Sequence, residues 1–184
     1  MDSTDQRVAE KFAAFDNDQD PTRIEEAFKI VEDANRDVMP GDRAARKEGL
    51  LRWLRFLAAL DREIDPNFGP LDTAVPGAPP PPVHGPVQPS GEVDPATIPD
   101  PVARAEYVRA LQASREKHRR FFVQTQLRRI DERAMLFVKV FLASNYTSSE
   151  ADRQEMEGLF SAAPVNDSQK ERLRSVMPGQ AAAP

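Results

Sequence analysis

The chain has no cysteine, two histidines, one tryptophan and eight glycines among its 184 residues. Each shortage closes off some chemistry. Without cysteine there can be no disulfide, no thiolate nucleophile and no Cys-ligated metal. His84 lies in a proline-rich stretch, and His118 has no carboxylate or second histidine at ligand spacing on its helical face, so a histidine-based metal site lacks ligands. The glycines form neither Gly-x-x-x-x-Gly-Lys nor Gly-x-Gly-x-x-Gly, which removes the usual phosphate cradles, and there is no Gly-x-Ser-x-Gly elbow. No apolar run approaches the ~20 residues that a membrane-spanning helix needs. Lys and Arg are missing altogether between residues 66 and 103.

What is present is long and helical. From Val102 to Ala143 the chain contains neither Gly nor Pro and is rich in Ala, Leu, Arg, Glu and Gln, all good helix formers. Pro99-Asp100-Pro101 places a capping residue type ahead of proline at the first helical position. The spacing predicts one helix over 100–146, on the order of 65 Å long. Val123, Leu127, Ile130, Ala134, Phe137 and Phe141 follow 4-3-4-3-4 spacing, a coiled-coil-type seam that packs on other helices. Toward Ala134–Ala143 the helix becomes apolar nearly all round, which predicts burial on several sides.

The flanking segments follow from the same signals. Val8, Phe12 and Phe15 mark a first helix, which the Asp16–Asp20 run ends. Asp20-Pro21 opens a second, with Ile24, Ala27, Phe28, Val31 and Ala34 on its apolar face. Asp42 caps a third, whose stripe of Leu50, Trp53, Leu54, Leu57, Leu60 and Ile64 is the strongest in the first third of the chain. Residues 1–65 therefore read as an acidic three-helix unit. Residues 66–99 hold eleven prolines and read as an extended spacer. They offer no basic flank for an SH3-type reader and no Pro-Pro-x-Tyr. In 147–178, Thr147 with Glu150 has capping-box form and Asp167 or Ser168 opens a last helix, giving two short helices that fold onto the apolar end of the long one. Residues 179–184 read as a disordered tail. The expected fold class is all-α.

Charge is unevenly spread. The net charge is −5, yet residues 104–146 carry ten basic and four acidic side chains, while residues 1–65 carry eleven and sixteen. Complementary fields of that kind favour docking. On the long helix Arg115, Arg119, Phe122, Gln126, Arg129 and Arg133 form a line beside the apolar seam. Arg115, Arg119, Phe122, Arg129 and Arg133 are the candidate contact residues for a protein partner or a second copy of the chain. A nucleic-acid role for the same residues is the alternative, since arginines grip phosphates and Phe122 could stack on a base. Glu116, Asp131 and Glu132 interrupt that charge, and the chain as a whole is acidic, with pI ≈ 5.2. An anionic membrane surface fits poorly, because Phe121 and Phe122 lie on different helical faces.

Other motifs are incomplete. Asp16-x-Asp18-x-Asp20 resembles the opening of an EF-hand loop, but Pro21 stands where glycine is needed and Ala27 where the bidentate Glu belongs. Asp131-Glu132 has no Glu-x-x-His companion for a di-metal site. No cofactor and no catalytic constellation is expected, and the reading is a non-enzymatic helical interaction or adaptor protein. The acidic, polar start Met1-Asp2-Ser3-Thr4-Asp5 has no signal-peptide form, so a cytoplasmic protein is expected. Nineteen arginines against six lysines, with many Ala and Pro, point to a GC-rich bacterial source.

Overall fold

The computed structural model describes residues 3–39, 41–68 and 93–179. Most of the expected spacer and tail, residues 69–92 and 180–184, lies outside them. Among the described residues the regular structure is helical: α1 (Ser3–Asp18), α2 (Pro21–Asn35), α3 (Arg43–Glu63), a 3-10 turn (Pro95–Thr97), α4 (Pro101–Asn145), α5 (Glu150–Ala162) and α6 (Asp167–Ser175). The protein is all-α. None of these helices is long and apolar enough to cross a membrane.

Side-chain caps set most helix starts. Asp20 accepts from the Thr22 N–H at 2.9 Å, Asp42 from Ala44 and Ala45 at 3.1 and 3.0 Å, and Asp100 from Val102 at 3.0 Å. Each satisfies N–H groups that the first turn leaves without partners. Three boundaries differ from the sequence reading. α1 runs on to Asp18, and the stop is Gln19, which turns left-handed at φ 53° with its N–H on the Phe15 carbonyl. α5 is capped by Ser149, not Thr147, because the Thr147 N–H and hydroxyl both serve Asp152. α6 is capped by Asn166 in a full capping box with Gln169, one residue ahead of Asp167.

The chain forms two compact units, Met1–Asp65 with Gln126–Pro184, and Pro66–Thr125. In the first, Phe28 is the centre of an aromatic cluster. Its ring lies 5.6 Å from Trp53, 6.1 Å from Phe56 and 5.3 Å from Phe137, the last edge-on at 90°. Edge-to-face pairs of this kind add about 1 kcal/mol each beyond burial. Leu127, Ala134, Val138 and Leu142 of α4 are fully buried there, with Met156 of α5 and Leu173 of α6. Gly49 marks a close approach in the core, since a Cβ would sit 2.8 Å from the Phe141 ring and 2.9 Å from the Asn35 side-chain oxygen. The Asn35 amide donates to the Gly49 carbonyl at 3.1 Å, which closes α2 onto α3.

The all-round apolar end of α4 is not buried on every side: Leu136 is 59% and Val140 57% exposed. A helix in contact on one flank still presents about a third of its circumference outward, and these two, a turn apart, fall on that side.

A polar brace holds the same unit at the start of α3. The buried Arg46 donates from Nη2 to Asp152 at 2.8 Å, from Nε to Glu155 at 3.1 Å and from Nη1 to the Asn145 carbonyl at 3.1 Å. Its guanidinium lies 4.4 Å from the centre of the Tyr146 ring. Burial opposes the Arg46 charge, but Glu155 and Asp152 outweigh it and hold its pKa above the ordinary value. The Thr147 N–H, aided by the Thr147 hydroxyl and Arg46, holds the Asp152 carboxyl below its usual range. Burial pushes the Tyr146 phenol up, and the nearby Glu155 carboxylate adds to this.

The second unit is slighter. Val93, Ile98, Tyr107 and Leu111 make a small cluster with Ala103 packed against it. The Val93 N–H donates to the Tyr107 hydroxyl at 2.9 Å, and Arg104 donates twice to the Ile98 carbonyl, at 3.0 and 2.7 Å.

Candidate interaction surfaces

α4 carries the residues singled out from the sequence, and the structure gives them different circumstances. Arg115, Arg119 and Phe122 are exposed on the part of the helix that belongs to Pro66–Thr125, Phe122 by 56%. Arg129 and Arg133 are exposed on the part that belongs to the larger unit. Arg133 is already engaged. Its Nη1 donates to both Glu25 oxygens, at 2.8 and 2.9 Å, and its guanidinium lies 4.6 Å from the centre of the Phe28 ring. Arg129 forms no hydrogen bond or ion pair among the described residues.

The line does not stop at Arg133. The same 4-3-4 spacing continues through Leu136 and Val140, and that continuation was available in the sequence. It was hidden because an apolar residue on a core helix reads as core unless its neighbours on that side are known. A groove of about 250 Å³ opens at Val140, lined by Val38, Trp53, Phe137 and Phe141 and also by the polar Glu32, Asn35, Arg36, Ser144 and Asn145. Met39, which follows Val38, is 71% exposed. Isolated exposed aliphatics are ordinary on soluble proteins; a cluster of them is not.

A larger cleft opens between α1 and α3, with a volume of about 720 Å³. Val8, Phe12, Val31 and Phe56 line its apolar floor, while Asp5, Asp16 and Glu63 face Arg52, Arg55 and Arg62. Arg55 is tied to Asp5 at 2.7 Å and to Glu48 at 3.1 Å. Burial raises the Glu63 pKa, and the Asp16 charge adds to it. The size suits a small ligand, but the lining holds carboxylates and guanidiniums and no hydroxyl, imidazole or amine.

The EF-hand-like carboxylates serve the backbone and a neighbouring side chain. Asp18 accepts from the Asp20 N–H at 2.9 Å and from Arg23 Nε at 3.0 Å, while Asp20 caps α2. Those bonds, the Asp20 N–H first and Arg23 next, lower the Asp18 pKa. No cluster of three or more His, Asp or Glu among the described residues is placed to hold a metal ion. The His118 Nδ1 lies 2.7 Å from the Ser114 carbonyl, which can only accept, so that nitrogen carries the proton and is turned back on its own helix.

Fold and surface together describe an all-helical protein whose longest helix presents charged and aliphatic side chains outward. No protein-family model, curated protein or solved structure matches the chain.

Proposed function

We propose that this is a non-enzymatic helical interaction protein that engages another polypeptide through the outward face of α4. The observation that carries the reading is the pair Leu136 and Val140, more than half exposed, with Val140 lining a groove, on the part of α4 whose inner residues Leu127, Ala134, Val138 and Leu142 are fully buried. A polar pair there would serve solubility better; an aliphatic pair serves contact. The cysteine-free, polar composition supports a cytoplasmic setting. The nucleic-acid alternative loses one cation, because Arg133 is neutralised by Glu25. It makes its own demand, that Arg119→Glu with Arg129→Glu abolish a salt-dependent binding while helicity is kept.

The test is a photo-crosslinking amino acid placed at Leu136, and separately at Val140, in cells that naturally make the protein. The exposed Arg153 of α5 is the control position. Discrete adducts at the α4 positions, absent at the control, are expected. Equal labelling at all three positions, or none, would sink the reading.

A further inference from the structure

The partner's chemistry follows from the charges around Leu136 and Val140. Resting on the reading above, we infer that this face takes an amphipathic helix of another polypeptide, with aliphatic residues at its centre and carboxylates on its fringe. A second copy of this chain does not fit.

Arg129, Arg133, Leu136, Val140 and Ala143 form a seam with 4-3-4-3 spacing, and Glu132 and Lys139 each stand immediately before a seam position. All seven are exposed. Two copies side by side and parallel would set each Arg129 against its twin. Antiparallel copies in the register that stacks Leu136 on Val140 bring the two Lys139 side chains together. The antiparallel register that pairs Glu132 with Lys139 lays Leu136 and Val140 over arginines instead. Each of the three arrangements places like charges together or wastes the aliphatic pair, and like-charge juxtaposition selects against a partner.

An acidic partner avoids the Arg129 and Lys139 conflicts, its carboxylates standing clear of Glu132 on the seam and of Glu32 at the groove. Arg133 is held by Glu25, while Arg129, Lys139 and Glu132 form no ion pair among the described residues, leaving a single excess positive charge on the seam. Arg129 and Lys139 are ten residues apart, about 15 Å along α4. A complementary helix therefore carries two aliphatic residues three or four positions apart and carboxylates roughly three turns apart on either side of them. The exposed face from Gln126 to Ser144 is about 30 Å by about 10 Å, so it buries well under the ~800 Å² per partner of a stable complex. The contact is accordingly weak and exchangeable.

The experiment uses the full chain and two labelled, hydrocarbon-stapled helical peptides of about 20 residues, with a leucine seam fringed by glutamate in one and by lysine in the other. Fluorescence anisotropy is expected to show the acidic peptide binding at micromolar chain concentrations and its basic twin at least about tenfold more weakly. Arg129→Glu with Lys139→Glu is expected to invert that preference, and Leu136→Ser with Val140→Ser to remove binding of both, with circular dichroism unchanged. Equal binding of the twins, no binding of the acidic one at about 1 mM chain, or binding that survives the serine pair overturns the inference. The crosslinking above separates the two levels. An adduct of two copies of this chain overturns the partner chemistry and leaves the interaction reading standing, while no adduct removes both.

Discussion

The two parts of α4 are one helix in backbone and two in circumstance. From Gln126 onward its inner residues are among the most completely buried of those described, and its Phe137 ring meets Phe28 and Trp53. Before Thr125 it contributes Tyr107 and Leu111 to a cluster of four buried side chains. Helix propensity is high throughout, so propensity does not set the difference. What differs is how much apolar surface leaves water, at about 25 cal/mol per Å², and how many polar groups must be matched in doing so.

The comparison can be broken most strongly at its aromatic centre. Phe28→Ala removes the ring that touches Trp53, Phe56 and Phe137, and should cost about 3–5 kcal/mol in a denaturant melt. The same melt should show the second unit's Tyr107 cluster to be the lesser contributor.

Arg46→Ala comes next. It leaves the buried Asp152 without its cation, while Glu155 keeps Arg43 and Lys47 at 3.5 and 3.7 Å, a loss of about 3 kcal/mol by the same measurement. This brace also has a pH signature. The Asp152 pKa is lowered in the fold, so its contribution is present above the ordinary value near 3.9 and is lost as pH falls through the lowered one. Melts between about pH 2 and pH 6 should therefore show a smaller penalty for Arg46→Ala at the acid end than at the neutral end.

The smallest effect sharpens the other side. Tyr107→Phe removes the acceptor of the Val93 N–H and should cost about 1 kcal/mol. Hydrogen exchange should report it as faster exchange at Val93, with protection in α2 and α3 unchanged.

Much of the fold was legible because local signals agreed with one another. The Asp20, Asp42 and Asp100 caps lie where an acceptor precedes an apolar-periodic run, and α4 ends within a residue of the expected Tyr146. The misplaced α5 cap has a long-range cause. Thr147 has the right side chain for α5 but is recruited by Asp152, which is held in turn by Arg46 from 106 residues away. Local pattern cannot see that competition. The candidate surface was half legible for the same reason. The 4-3 line is a property of spacing alone, whereas the pairing of Arg133 with Glu25 spans 108 residues and the exposure of Leu136 depends on what α2 and α3 leave uncovered.

The larger unit is written in two passages of the chain, interrupted by the sixty residues Pro66–Thr125. Arg46 with Asp152, and the Gln169 amide donating to the Leu57 carbonyl at 2.9 Å, are stitches across that interruption. The entropic cost of closing so long a detour rises only as the logarithm of its length, about 0.6 kcal/mol for each doubling. The connection between α3 and α4 can therefore lengthen or shorten over generations with little penalty to the core. Selection on the sequence between α3 and α4 is left to act on reach and composition, not on residue count.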